Sequence, residues 1–163
     1  MKQCVFSTVN PKKFSKFFLG LPWIFAALVF WGVFNTASAQ NSATLTIGAY
    51  KITAEVANTA YLRQKGLMNR LYLPQNQGMI FIFPQAMTHC MWMKNTPLDL
   101  SVAFIDDLGR IINIEQMQAN TTNAHCAKMP ARYALEMNIN FFQNKNIARG
   151  MRVNGLEKLP KTK

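Results

Sequence analysis

The sequence predicts a mainly β protein, a compact single domain of the sandwich or barrel type with about seven short strands and one short helix, rather than a fold of β-α-β units. Short runs rich in β-branched and aromatic residues recur along the chain, turn-forming residues separate them, and a single segment shows clear helical spacing. We expect this domain to occupy residues 43–155, followed by a basic tail over residues 156–163.

A hairpin and a helix are predicted first. Residues 44–47 and 50–56 alternate with period two on either side of Gly48, which indicates two strands joined by a turn, with one face exposed to water. Thr59 can then cap a helix that runs to about Leu67. The residues at helical spacing are Tyr61, Leu62, Lys65 and Met68.

The rest of the domain is predicted to be mostly strand. Asp106 and Gly109 supply a tight turn between two of the strands, and residues 119–132 are polar and strandless. The predicted strands are 79–83, which Pro84 ends, 89–94, 99–106, 110–117, 133–138 and a short one around Val153, with a weakly helical segment at 141–145.

Residues 1–39 have the layout of a secretory signal. A basic stretch ending at Lys16 precedes 18 uncharged residues, 17–34, and a small-x-small site ends at Ala39. We expect cleavage between Ala39 and Gln40 and a periplasmic location for the domain. A retained membrane anchor is the alternative, since 18 helical residues reach close to the ~30 Å thickness of the hydrocarbon core.

Cysteine use fits an oxidising compartment. Loss of the leader would remove Cys4 and leave Cys90 and Cys126, an even number where thiols oxidise. We therefore predict a disulfide between them. Closing that loop stabilises the fold by about 4 kcal/mol in the chain-entropy description.

Several short motifs lie between Val56 and Val153. They are Arg63-x-x-Gly66-Leu67-Met68-x-Arg70, Gly78-Met79-x-Phe81-x-Phe83, Trp92-Met93-Lys94-Asn95-Thr96-x-x-Asp99, Phe104-Ile105-Asp106 with Gly109, and Ala134-Leu135-Glu136. This pattern resembles the domain of unknown function 192 family of bacteria and archaea, and its most specific part is the motif that begins at Trp92. The resemblance implies a single β-rich domain, often exported or close to lipid, with no assigned reaction. It does not require the two cysteines, so the disulfide rests on the compartment alone.

A candidate polar site lies around Trp92. Alternation along a strand places Trp92 and Lys94 on one face with Cys90, and His89, Met91 and Met93 on the other. An ammonium, an amide, the Thr96 hydroxyl and a carboxylate beside an aromatic wall suit a small polar ligand. The same groups can instead hold their own turn together. The predicted ligand-binding set is Arg70, Trp92, Lys94, Asn95, Asp99 and Glu136.

Glu136 lies among apolar neighbours, so its burial would require a partner. Arg63, Arg70 and Lys94 are the candidate cations for a structural salt bridge. Glu136 could also be a site carboxylate that acts with Asp99 as an acid/base pair in a hydrolase-like enzyme. Exposure on the wet face of a strand is the third alternative.

Metal binding is a further alternative. The dipeptides His89-Cys90 and His125-Cys126 contain a zinc-type ligand set, but neighbouring side chains on a strand point apart and a disulfide competes for the sulfurs. Copper(I) binding would use the Met, His and Cys side chains of residues 87–93. Methionine is also an ordinary gap-filler in cores, so our leading prediction includes no metal and no cofactor.

Charge and composition exclude several other classes of protein. The chain is 50% hydrophobic with a formal net charge of +11, which excludes a disordered tail, a collagen and a multi-helix transporter. No phosphate-binding loop or hydrolase motif is present, and the basic residues are scattered, which disfavours nucleic acid as a partner. We therefore predict a periplasmic binding or accessory module for a small polar ligand or an envelope component, without an assigned reaction. Its positive charge suits association with an anionic membrane surface.

Overall fold

The computed structural model describes residues 41–163. The predicted leader and its cleavage site lie outside these residues. The strands are β1 Ser42–Ile47, β2 Tyr50–Ala57, β3 Gln77–Met87, β4 Cys90–Met91, β5 Leu100–Ile105, β6 Ile111–Met117, β7 His125–Cys126, β8 Ala131–Asn138 and β9 Val153–Asn154. The helices are α1 Ala60–Lys65 and α2 Phe141–Asn144, and a 3-10 turn covers Leu156–Lys158.

Seven strands form one curled sheet, in the order β6-β5-β8-β3-β2-β1-β9, and β4 pairs with β7 in a separate small sheet. The mainly β prediction is therefore confirmed. β2 and β3 run parallel and α1 connects them, whereas the other neighbours are antiparallel. This parallel crossover differs from our expectation of a fold without a β-α-β unit. Two parallel neighbours cannot be joined by a tight turn. They need a long connection, which the segment that contains α1 supplies.

The sheet buries side chains on both faces, because its central strands are almost wholly apolar. Along β8, Leu135 and Met137 belong to a first core that α2 covers. Ala134 belongs to a second core, which includes Leu67 after α1 and Met93 after β4. Since side chains alternate along a strand, Glu136 points toward the second core.

The predicted hairpin, helix cap and tight turn are all present. β1 and β2 pair antiparallel around the turn at Gly48, and the Thr59 hydroxyl accepts a hydrogen bond from the backbone N–H of Leu62 at 3.2 Å. The Asp106 carboxylate accepts bonds from the backbone N–H groups of Leu108 and Arg110 at 2.9 and 2.8 Å, which closes the β5–β6 turn.

Three strands depart most from the prediction. β3 continues through Pro84 to Met87, because the ladder with β8 is irregular there and Pro84 lies exposed, where no backbone donor is needed. β4 ends at Met91, because only Cys90 and Met91 pair with β7, and the Met93 backbone N–H donates instead to the Thr121 carbonyl at 3.0 Å. The region predicted to lack strands contributes β7, since Cys126 pairs with Cys90.

The predicted disulfide is confirmed, since Cys90 and Cys126 are bonded and directly opposite in the β4–β7 ladder. The C-terminal residues lie against the domain, where the Lys163 backbone N–H donates to the Asn58 carbonyl at 2.9 Å. Among residues 41–163, no helix has the length and apolar character needed to cross a membrane.

Candidate functional site

Glu136 is the only titratable side chain that the described residues bury, with 3% of its surface exposed. It stands opposite Met79 on β3 and Val102 on β5, so its cross-strand neighbours are apolar. Within residues 41–163 its carboxyl forms no ion pair, and no hydrogen bond contributes to its pKa. Burial raises the pKa of Glu136 from 4.5 to about 8, because the ionised form loses its hydration, and the carboxyl is therefore mostly uncharged at pH 7.

The Glu136 carboxyl lines a small inner cavity of about 20 Å³. Thr96 supplies a second polar group to this cavity, and Phe81 and Leu67 are among its apolar walls. A cavity above roughly 10–15 Å³ can hold one water molecule. The inner cavity therefore has room for a single water molecule or for one hydroxyl group of a ligand.

A larger outer groove of about 400 Å³ adjoins the inner cavity. The two share four lining residues, so they are neighbours, and together they are called the depression below. The shared residues are Gln64, Lys65, Met68 and Trp92. The outer groove adds Tyr61, Lys94 and Asn95, and its volume is in the range of about 300–1,000 Å³ typical of small-molecule sites.

Two aromatic side chains form walls of the outer groove. Tyr61 on α1 is 69% exposed, and Trp92 after β4 is 49% exposed. The Lys94 ammonium lies 5.5 Å from the centre of the Trp92 ring, in the range of a cation–π contact. The expectation that Lys94 lies beside the Trp92 ring is confirmed.

The local backbone explains how α1 reaches the groove. Gly66 ends the helix with a positive φ of 47°, and a Cβ at this position would lie 3.4 Å from the Phe81 ring. Glycine thus lets the end of α1 turn directly over the ring. On the opposite wall, the Asn69 backbone N–H donates to the Asn95 carbonyl at 2.8 Å and ties the two loops together.

The structure brings four of the six predicted site residues to this depression, namely Trp92, Lys94, Asn95 and Glu136. Arg70 instead forms an ion pair with Glu55. Asp99 lines a different cavity and accepts a hydrogen bond from the Ala119 backbone N–H at 2.7 Å.

The cations proposed as partners of Glu136 have other contacts. Arg63 lines the inner cavity but donates to the Ile82 carbonyl at 3.1 Å. Arg70 binds Glu55, and Lys94 lies over Trp92. The expected structural salt bridge to Glu136 is therefore absent from the described residues.

The sulfur and imidazole groups of residues 87–93 are dispersed. Cys90 is in the disulfide, so its sulfur is no free thiolate, and the His89 ring stacks on Phe83 with the ring centres 3.7 Å apart. Met87 is exposed and Met93 is fully buried in the second core. Within the described residues, no group of three or more His, Cys, Asp and Glu side chains could hold a metal ion.

Sequence reasoning did not assign Tyr61, Gln64, Lys65 and Met68 to the site. Part of the signal was present, because Arg63, Gly66, Leu67 and Met68 carry one of the motifs quoted above and line the inner cavity. Met91 was expected on the face opposite Trp92, yet both line this cavity. The alternation fails because β4 ends at Met91.

Solved structures with a similar fold include the following two proteins. A protein of Sinorhizobium meliloti, described provisionally as a transcription regulator, is 30% identical in sequence and matches with a TM-score of 0.66. The match covers 70% of this chain and 92% of that protein's chain. A protein of unknown function from Novosphingobium aromaticivorans is 27% identical in sequence and matches with a TM-score of 0.69. The match covers 73% of this chain and 89% of that protein's chain. The comparison with curated proteins finds no match.

The family comparison covers nearly the whole described domain. The model DUF192, an uncharacterised family, matches residues 43–155. Four of the motifs that carry this resemblance meet around the inner cavity, through Met68, Phe81, Trp92 and Glu136 among others. The chain belongs to the DUF192 family.

Proposed function

We propose that this protein is an exported, periplasmic binding module that takes a small polar ligand or envelope component in the outer groove, with Glu136 at its base. One observation carries the proposal: a buried carboxyl without a partner among the described residues opens into a cavity beneath an aromatic-walled groove. Among the described residues no fully enclosed side-chain N or O atom lacks a hydrogen-bond partner, so the unpaired carboxyl meets the cavity, where a ligand group can reach it.

The groove offers the groups that orient a polar ligand. Gln64 and Asn95 have amides that both donate and accept hydrogen bonds, and Lys65 and Lys94 donate with positive charge. Tyr61 and the indole of Trp92 provide apolar surface beside these groups. A few convergent polar groups on an aromatic wall are typical of small-molecule sites.

The compartment is part of the proposal. The leader-like layout of residues 1–39 and the Cys90–Cys126 disulfide both favour an oxidising space outside the cytoplasm. If the leader is retained, it would anchor the chain instead. Association with an anionic membrane surface has support from the basic composition and from Leu71 and Tyr72, which are 85% and 74% exposed next to Arg70.

A binding role has more support than catalysis by a carboxylate pair. Asp99 and Glu136 line separate cavities, so the described arrangement offers no shared position for a substrate between them. Only one carboxyl group, that of Glu136, faces the depression. An acid/base mechanism at this site would need a second group of suitable pKa.

Recovery of bound small molecules tests the proposal. The protein, isolated from its native envelope with the disulfide intact, should release a metabolite on heating that mass spectrometry identifies. Lys94→Ala should reduce the recovered amount at least about tenfold, a change equivalent to ~1.4 kcal/mol of binding free energy. Lys51→Ala, at an exposed position on β2 outside the depression, is the matched control. Equal recovery with Lys94→Ala and Lys51→Ala would contradict the proposed site.

A further inference from the structure

We propose that the ligand of the outer groove is an acidic sugar, whose carboxylate binds Lys65 and Lys94 and one of whose hydroxyl groups enters the inner cavity beside Glu136. This inference rests on the proposed function and adds to it the chemical class of the ligand.

The inner cavity selects a hydroxyl group by size and chemistry. Its volume of about 20 Å³ admits a group no larger than a water molecule. A protonated carboxyl can both donate and accept a hydrogen bond, as a sugar hydroxyl can, and the Thr96 side chain on the same cavity offers a second partner. Burial keeps the pKa of Glu136 near 8, so this protonated form predominates at neutral pH.

The outer groove suits a sugar ring. The exposed face of Tyr61 and the part of Trp92 that Lys94 leaves uncovered can pack against the C–H groups of a pyranose, while Gln64 and Asn95 can bind hydroxyl groups at its edge. Lys94 already lies over the Trp92 ring, so little ordering of its side chain is needed on binding.

Charge favours an acidic sugar over a neutral one. The titratable groups that line the two cavities are the cations Arg63, Lys65 and Lys94, the phenol of Tyr61 and the carboxyl of Glu136. Because Glu136 is mostly uncharged at pH 7, the depression carries a net positive charge there. An anionic group on the ligand gains both attraction and charge-assisted hydrogen bonds from the lysines.

Three probes test the ligand class on the protein expressed from the full sequence and purified with its disulfide intact. Methyl glucuronide carries the ring and the charge, methyl glucoside carries the ring alone, and acetate carries the charge alone. Calorimetry at pH 6.5 should show the glucuronide binding at least about tenfold more tightly than either control probe.

Variants locate the binding. Replacing both groove lysines, Lys65→Ala with Lys94→Ala, should lower the affinity for the glucuronide to that for the glucoside. These side chains are exposed, so the fold should tolerate their loss. Lys51→Ala with Lys128→Ala is the matched control and should leave all affinities unchanged. Glu136→Leu should weaken both sugars about tenfold, because it removes the partner of the hydroxyl.

Each other outcome overturns the inference. Equal binding of glucuronide and glucoside would show that the ligand's carboxylate is not recognised. Equal binding of glucuronide and acetate would show that the sugar ring is not recognised. If none of the probes binds, or if the groove lysines make no difference, the ligand class is wrong. The proposed function fails separately, when no Lys94-dependent metabolite is recovered from the native envelope.

Discussion

Two carboxyl groups of this protein show how surroundings decide charge. Burial alone would raise the pKa of Asp106. The hydrogen bonds from Arg110 and Leu108, together with the positive charge of Arg110, outweigh this effect, so the pKa lies below its ordinary value. Glu136 has no such donors among the described residues, and burial alone raises its pKa to about 8. The first carboxyl holds a turn together, whereas the second remains available to a ligand.

Glu136 should make the folded state less stable as the pH rises. Its pKa is about 8 when folded and 4.5 when unfolded, so the unfolded chain binds fewer protons between these values. The stability that the protonated group provides is complete below pH 4.5 and is lost as the pH rises to about 8. The total loss is no more than about 5 kcal/mol, and Glu136→Gln should abolish it, because an amide does not titrate.

Urea unfolding between pH 5 and pH 8 measures this effect. The wild-type free energy of unfolding should fall with pH relative to that of Glu136→Gln. Asp107→Asn is a suitable control, since Asp107 is exposed and the variant keeps Glu136. Parallel pH profiles for wild type and Glu136→Gln would show that the carboxyl is already ionised in the folded protein.

Single residues were predictable where their chemistry conflicted with their neighbours. Glu136 stood out as an acid in an apolar run, and Trp92 and Lys94 as a polar cluster on an aromatic wall. Their joint placement depended on β4 and β8 meeting across the second core, which no local pattern specifies. Asp99 was grouped with them by proximity in the chain, but it faces another cavity.

The small sheet of β4 and β7 holds one wall of the depression. It contains only two residue pairs, Cys90 with Cys126 and Met91 with His125, too few to be stable alone. The disulfide joins these strands across 36 positions of sequence. Trp92 follows directly, so the bond fixes the segment that carries the aromatic wall.

Removal of the disulfide should therefore affect both stability and binding. The double variant Cys90→Ser with Cys126→Ser should lower the free energy of unfolding by about 4 kcal/mol, because the unfolded chain regains the entropy of the open loop. Guanidinium unfolding measures the change, and Thr122→Ser, an exposed substitution that keeps both cysteines, is the control. A loss below about 1 kcal/mol would show that the β4–β7 pairing is stable without the bond.

Secondary structure was predictable where the pattern was local. The hairpin, the Thr59 cap and the Asp106 turn each follow from a few adjacent residues. The extension of β3 beyond Pro84 and the pairing of β7 were missed, because both depend on partners distant in sequence. The parallel pairing of β2 with β3 was missed for the same reason.

The molecule as a whole joins motifs that are far apart in the chain. The end of α1, the centre of β3, the segment after β4 and the centre of β8 all contribute walls to the inner cavity. The fold class was predictable because it follows from composition and spacing. The cavity was not, since it exists only where these elements meet.

The charge of the whole molecule agrees with the proposed site. Residues 40–163 contain 14 Lys and Arg side chains and 7 Asp and Glu side chains, a formal net charge of +7. A protonated Glu136 makes the charge more positive at neutral pH. The long-range field therefore favours the approach of an anionic ligand to the groove.

NMR mapping of the ligand tests the central claim most directly. Small molecules released by heat from the wild-type protein are returned to labelled protein, and the Glu136 carboxyl carbon, the Trp92 indole N–H and the Asp99 carboxyl carbon are followed. We predict that the Glu136 and Trp92 signals move together to saturation while the Asp99 signal stays in place. Saturable movement of other signals with Glu136 and Trp92 unchanged would contradict the account.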